Sequence, residues 1–139
     1  MIYLLDTNAV IAILKNDPPG VRRCLRRAIE EEATIAVSSV VLYELWYGVA
    51  RSARREENAD RIRAFLSGAV SIVEFDEEDA AHAGDIRADL EKTGTPIGPY
   101  DVLIAAQAKR TGATLVTANL REFTRVAGLS VEDWTRVAA

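Results

Sequence analysis

Histidine and cysteine are almost missing from this sequence of 139 residues, which holds one of each, His82 and Cys24. A lone cysteine cannot form a disulfide within the chain, and a zinc site built from Cys and His would lack ligands. A metal-free ribonuclease mechanism with one histidine as acid and another as base is excluded by the same count. His82 itself is expected on a solvated helix face. The single thiol fits a reducing, cytoplasmic location.

Long apolar runs and nucleotide-binding motifs are also missing. No stretch of about 18 apolar residues predicts a transmembrane helix. The apolar start of the chain does not resemble a signal peptide, because it carries Asp6 and Asn8 and lacks a basic beginning. Neither a P-loop nor a G-x-G-x-x-G fingerprint nor a G-x-S-x-G elbow occurs. We therefore expect a soluble protein that does not use these chemistries.

Positive charge is in deficit, with a net charge of −4 and a pI near 5.1. This balance argues against a nonspecific polyanion binder but leaves room for a local basic rim. Two groups of arginines occur, and solvated helix faces are the simplest interpretation of both. Three members of the second group are candidates to bind a substrate: Arg51, Arg54 and Arg55.

The apolar residues that are present, 49% of the chain, are enough for one domain spanning residues 1–139. Short apolar runs alternate with helical patterns along the whole chain. Strands are predicted at 2–5, 34–38, 69–75 and 113–117, with a short fifth at 129–131, and helices at 9–15, 20–32, 40–51, 54–67, 77–92 and 99–111. This alternation predicts an α/β sandwich with a mostly parallel sheet of four or five strands flanked by helices.

Polar side chains follow the predicted strand ends. Asp6 and Asn119 come just after strands, Glu44 lies on the helix after the second strand, and Asp101 opens a helix after Pro99. The carboxyl ends of parallel strands share one edge, so these residues are expected to meet there. Hard oxygen ligands without His or Cys favour Mg²⁺ or Mn²⁺. Asp6 alone could be a helix cap and Asp101 a first-turn acid, so their joint placement is what predicts a site.

The predicted helix 40–51 is apolar almost all round and is expected to be covered on most sides. Glu44 is its one acid and projects beside Val41 and Leu45, where an isolated charge would be costly. Tyr43 and Trp46 fall on other sides of the helix. They are a candidate surface for a dimer or another protein partner.

Four segments in this order resemble the PIN-domain ribonucleases, and among them the VapC toxins of bacterial toxin–antitoxin pairs. These segments are Leu5-Asp6-Thr7-Asn8, Glu44-Leu45 with Gly48, Ile97-Gly98-Pro99-Tyr100-Asp101 with Ile104-Ala105-Ala106, and Val116-Thr117-Ala118-Asn119 with Glu122-Phe123 and Trp134. The resemblance covers residues 2–134. It implies a three-layer, Rossmann-like PIN fold.

The resemblance also implies a function, a cofactor and partners. It predicts a Mg²⁺- or Mn²⁺-dependent endoribonuclease that cuts structured RNA, commonly tRNA, with a metal-activated water. A VapB antitoxin would silence it, and a homodimer is expected. Asp6, Glu44 and Asp101 match the three acidic metal positions; the fourth, often Asp, is Asn119, and Glu122 is close enough to serve as a supporting acid.

Two other interpretations stay open at this level. A binding module that kept the fold and lost the chemistry would explain the neutral Asn119. A phosphoacceptor domain with Asp6 as acceptor fits less well, because no D-x-D motif surrounds Asp6 and no lysine follows the fourth strand at once.

Overall fold

The structure is a computed structural model, and it describes residues 1–136. Within that range the strands are Ile2–Leu5 (β1), Thr34–Ser38 (β2), Ser71–Val73 (β3), Thr114–Val116 (β4) and Val131–Glu132 (β5). The α-helices are Thr7–Lys15 (α1), Gly20–Glu30 (α2), Ser39–Ala50 (α3), Arg55–Leu66 (α4), Glu77–Lys92 (α5), Pro99–Thr111 (α6) and Leu120–Phe123 (α7). A 3-10 turn follows at Trp134–Arg136.

The strands form one sheet in the order β3-β2-β1-β4-β5, and every pairing in it is parallel. The predicted α/β architecture is therefore confirmed, with five strands. The central strand β1 pairs with β2 on one side and with β4 on the other. The order of strands reverses between β1 and β4, which is where open parallel sheets form their binding crevices.

Helices connect the parallel strands, two between β1 and β2, two between β2 and β3, and two between β3 and β4. The buried core contains Leu4 and Leu5 of β1, Val37 of β2, Leu115 of β4, and much of α6. Six residues of α6 are buried and most of them have small or apolar side chains, so this helix packs closely within the fold. Its first turn therefore reaches the carboxyl edge of the sheet in a fixed position.

Several predicted boundaries are wrong. The strand predicted at 69–75 is limited to β3, since the backbone N–H of Phe75 donates to Oγ of Ser39, 3.0 Å away, instead of to a neighbouring strand. The fifth strand lies at β5 rather than at 129–131, in register with β4. The second helix ends two residues early, and Glu32 then adopts a positive φ of 61°. Helix α7 was not predicted at all.

The expectation for helix 40–51 is only half met. Val41 and Leu45 are buried on α3, as an apolar helix requires. Tyr43 and Tyr47 are 55% and 57% exposed, so the chain leaves one apolar side of α3 uncovered. His82 is exposed on α5, as predicted. Among residues 1–136, none of the helices combines the length and apolar character that crossing a membrane would require.

Candidate active site

Asp6 lies at the topological switch point, directly after β1. Its backbone N–H donates to the carbonyl oxygen of Val116 at the end of β4, 3.0 Å away. Asp6 is 7% exposed, and its Oδ1 accepts from the backbone N–H of Ala9 at 2.8 Å, so Asp6 is the cap of α1, a role that the sequence analysis allowed for it. Burial raises the pKa of Asp6, although hydrogen bonds from Thr117 and Ala9 oppose that rise. A cap and a buried acid are thus combined in one residue.

Glu44 projects from the second turn of α3 toward Asp6. Its carboxylate is half-buried, and its Oε1 accepts a hydrogen bond of 2.7 Å from the hydroxyl of Thr7. The negative charge of Glu44 contributes to the raised pKa of Asp6. The sequence-based expectation that Glu44 lies along the covered face is consistent with this placement, and Thr7 supplies the polar partner that it needs.

Asp101 enters the crevice from the first turn of α6. Pro99 stands at the first position of that helix, where its missing N–H leaves no bond unmade. A Cβ atom at Gly98 would lie 3.1 Å from Oδ2 of Asp101, which is shorter than an ordinary van der Waals contact. Glycine at this position therefore avoids a steric conflict with the carboxylate. Burial, then a hydrogen bond to Glu122, then the charges of Glu122, Asp6 and Glu44 raise the pKa of Asp101 to about 7. Asp101 therefore faces other acids.

Asn119 and Glu122 form the outer side of the crevice. Nδ2 of Asn119 donates to Oε2 of Glu122 at 2.6 Å, and its backbone N–H donates to the hydroxyl of Thr117 at 2.9 Å. The short helix α7 turns Glu122 back toward Asp101, where the two side chains share a hydrogen bond. Glu122, which the sequence offered only as a supporting acid, is therefore in direct contact with a central one.

The donor set of this crevice suits a hard divalent cation. Every side-chain ligand is a carboxylate, amide or hydroxyl oxygen. Among residues 1–136, no Lys, Arg or His lies within ion-pair distance of the four acids Asp6, Glu44, Asp101 and Glu122. No group of three His, Cys, Asp or Glu side chains in that range is drawn together into a ready-made metal cluster. The acids nevertheless interact electrostatically, because the charges of Glu122, Asp6 and Glu44 all raise the pKa of Asp101.

Residues 3–129 match the PIN domain family model. The tRNA(fMet)-specific endonuclease VapC of Salmonella typhimurium is 40% identical to the chain over 132 residues, which cover 95% of this chain and 97% of that protein. The chain belongs to the PIN-domain family. Ribonuclease VapC2 of Rickettsia felis, another PIN-domain relative, is 39% identical over 98% of this chain and 100% of its own length.

Solved PIN-domain structures agree with the sequence relationship. VapBC2 from Rickettsia felis bound to a promoter DNA fragment superposes with a TM-score of 0.90 at 37% identity, covering 96% of this chain and 99% of that chain. DNA-bound VapBC from Salmonella typhimurium gives 0.87 at 39% identity, covering 96% and 98%. The protein is accordingly an endoribonuclease of the toxin–antitoxin class, and the binding-module alternative is not favoured. Nucleases of the PIN-domain family generally depend on a divalent metal ion.

The other predicted residues lie outside the PIN-domain crevice. Arg51, Arg54 and Arg55 are exposed beyond the far end of α3, and Arg54 pairs with Glu57 at 3.7 Å. Trp46 is half-buried with the guanidinium of Arg63 5.5 Å from its ring centroid. These residues therefore do not join the acids, and their substrate and partner roles stay predictions.

Two threonines of the site, Thr117 and Thr7, were not predicted from the sequence. Thr117 is 1% exposed; its oxygen accepts from Asn119 while its hydroxyl donates to Asp6. Thr7 holds Glu44 in the same way. Each threonine stands near an acid in the quoted motifs, and that adjacency is the one signal by which these residues could have been found.

Proposed function

We propose that this chain is a Mg²⁺- or Mn²⁺-dependent endoribonuclease that cleaves structured RNA, tRNA first of all, and acts as the toxin of a VapB-type antitoxin. The observation that carries the proposal is that the charges of Glu122, Asp6 and Glu44 act on the carboxyl of Asp101, while no basic side chain in residues 1–136 forms an ion pair with these acids. The name of the Salmonella relative supports tRNA as substrate, and the two VapBC structures support the antitoxin. A homodimer is expected from the same family resemblance.

Asp6, Glu44 and Asp101 would hold the cation, and Asn119 would support it through its amide oxygen. When bound, the cation orients the phosphodiester, lowers the pKa of a water and offsets charge on the leaving oxygen. Thr117 and Thr7 keep the carboxylates of Asp6 and Glu44 in position by hydrogen bonds. The hydrogen bond and the charge of Glu122 contribute to the raised pKa of Asp101.

The metal-site assignment is tested with isosteric variants. Asp6→Asn and Asp101→Asn each remove one charge while keeping the side-chain volume, so both should abolish Mg²⁺-dependent cleavage of tRNA and reduce Mg²⁺ binding by calorimetry. Asp85→Asn is the matched control, because Asp85 is an exposed acid on α5. Circular dichroism should show the same fold in all three variants. Activity at the wild-type level in Asp101→Asn would overturn the assignment.

We propose that the antitoxin binds in a cleft between α1, α3 and α4. The cleft has a volume of about 290 Å³, is lined by Ile11, Leu14, Leu45 and Ile62, and reaches Glu44 at one end. An apolar antitoxin segment could fill it and extend into the crevice. We expect inhibition of the ribonuclease whenever this cleft is occupied.

Gly48 allows the cleft to be filled by substitution, because a Cβ atom there meets nothing within 4 Å. Gly48→Leu should leave an active ribonuclease that a cognate VapB-type antitoxin inhibits far less. Gly84→Leu is the control, since Gly84 of α5 has the same open surroundings and lies outside the cleft. Full inhibition of the Gly48→Leu protein would exclude this cleft as the docking site.

A further inference from the structure

Three tyrosines stand exposed along one surface that begins at the mouth of the crevice. Tyr100, Tyr43 and Tyr47 are 43%, 55% and 57% exposed. They make up half of the six large hydrophobic side chains that are exposed within residues 1–136. Such a concentration of aromatic surface at one place is uncommon on a soluble domain unless something binds there.

The rings follow one another in a continuous series. Tyr100 of α6 and Tyr43 of α3 lie with their centroids 5.7 Å apart and their planes tilted by 51°. Tyr47 comes one helical turn after Tyr43, about 6 Å further along the axis of α3. The guanidinium of Arg51, one more turn along, lies 5.5 Å from the ring centroid of Tyr47. The series therefore runs from α6 along α3 and ends on a cation.

This series begins near the acids. Tyr43 and Glu44 are neighbours in α3, Tyr100 and Asp101 are neighbours in the first turn of α6, and the charge of Glu44 contributes to the raised pKa of Tyr100. A nucleotide whose phosphate lies at these carboxylates would have its neighbouring bases next to the tyrosine rings. The far end carries the exposed arginines Arg51, Arg54 and Arg55, of which Arg54 pairs with Glu57 at 3.7 Å.

We propose that Tyr100, Tyr43 and Tyr47 form a stacking track, ended by Arg51, for an unpaired RNA segment that flanks the scissile phosphate. Aromatic rings stack on nucleobases whatever their sequence, and arginine adds attraction to the phosphates and to the rings. The inference rests on the proposed function, because it assigns the track to the substrate of the same site. It predicts a preference for loops and other unpaired segments over continuous duplex RNA.

The test uses full-length protein in EDTA, so that binding is measured without cleavage. The probes are a fluorescein-labelled RNA hairpin with an unpaired loop and a blunt duplex of the same length. Tyr47→Ala should weaken hairpin binding by about fivefold or more, the loss of one stacked base, and leave duplex binding unchanged. Tyr47→Phe should restore hairpin binding, since it keeps the ring. Ile72→Ala, which removes a side chain 51% exposed on β3, is the control expected to match wild type.

An abasic RNA separates stacking from other roles of this surface. Removing single bases from the loop should weaken binding of wild type at one or two positions, and the same removal should have no further effect on Tyr47→Ala. Additive losses of RNA affinity from the abasic position and from Tyr47→Ala would overturn the track.

The oligomeric state distinguishes RNA binding from a dimer interface. A Tyr47→Ala protein that becomes monomeric by light scattering, while its subunits bind RNA as wild type does, would assign the surface to a second copy of the chain. If wild type cleaves RNA and the tyrosine variants bind like it, only the track fails; if wild type neither binds nor cleaves RNA, the proposed function fails as well.

Discussion

Asp79 and Asp101 are two carboxylates that the fold removes from water at opposite ends of α6. Asp79 is 0% exposed and bonds to Arg110 in the last turn of that helix. Burial alone would raise the pKa of Asp79, but the hydrogen bond and charge of Arg110 outweigh it and the pKa is lowered. At the first turn, burial and neighbouring acids raise the pKa of Asp101 to about 7. The same helix thus holds one neutralised acid and one that is left uncompensated.

The difference separates a structural acid from a functional one. Asp79 also completes the N-terminal capping box of α5, accepting from the backbone N–H of Asp76 at 2.9 Å, so its charge is satisfied within the chain. The crevice around Asp101 keeps its charges unbalanced, which raises the free energy of the folded protein at neutral pH. Unbalanced charge of this kind is expected where an external cation completes the site.

The largest effect is expected from removing the guanidinium of Arg110, which compensates the buried charge of Asp79. Arg110→Met leaves Asp79 buried without its partner, and the unfolding midpoint should fall by roughly 10 °C at pH 7. Arg87→Met is the control, because the Arg87–Glu91 pair of 3.1 Å is exposed and should change the midpoint by less than about 2 °C. Equal, small shifts in the two variants would show that Asp79 needs no compensation.

The ion pair between Asp79 and Arg110 could not be predicted from the sequence. Asp79 and Arg110 are 31 residues apart, and neither stands in a pattern that indicates burial of charge. Local signals succeeded where the physics is local: Pro99 begins α6, and Gly112 ends it with a φ of 68°. The strand–helix alternation predicted the parallel sheet. That Asp6, Glu44 and Asp101 hold one metal ion stays a prediction, although the charges of Asp6 and Glu44 raise the pKa of Asp101. The turn of α7 that brings Glu122 onto Asp101 depends on tertiary contacts, so the sequence left it open.

A smaller effect should appear in the pH dependence of stability at the uncompensated end. The pKa of Asp101 is higher in the folded than in the unfolded protein, so the folded state binds more protons between about pH 4 and 7. The stability contributed by the protonated carboxyl is complete below about pH 4 and is lost as the pH rises through 7. In EDTA, the unfolding midpoint of wild type should therefore fall by about 5 °C over this range relative to Asp101→Asn, after allowance for partial screening.

Adding Mg²⁺ at pH 8 should recover that loss in wild type and not in Asp101→Asn, because the cation binds the ionised site. Parallel pH profiles of the two proteins in EDTA would mean that Asp101 is already compensated. Asp79 contributes in the opposite sense, since its lowered pKa removes stability only at more acidic pH. One series of unfolding midpoints against pH therefore distinguishes the contribution of Asp101 from that of Asp79.

The smallest effect is expected from Asn119→Asp, which adds a fifth acid to the crevice, at the fourth position expected for a metal ligand. Asn119 is exposed and its amide now donates to Glu122 at 2.6 Å; a carboxylate there loses this bond and adds a like charge. In EDTA the unfolding midpoint should fall by about 2 °C, and Mg²⁺ affinity should rise by about threefold, the size expected for a partly solvated charge. Asn58→Asp is the matched control, because Asn58 lies on α4 and bonds to Ser52 instead of an acid. If Mg²⁺ affinity stays at the wild-type value in Asn119→Asp while the midpoint falls, the fourth position contributes repulsion but no ligand, and the amide of Asn119 serves to hold Glu122.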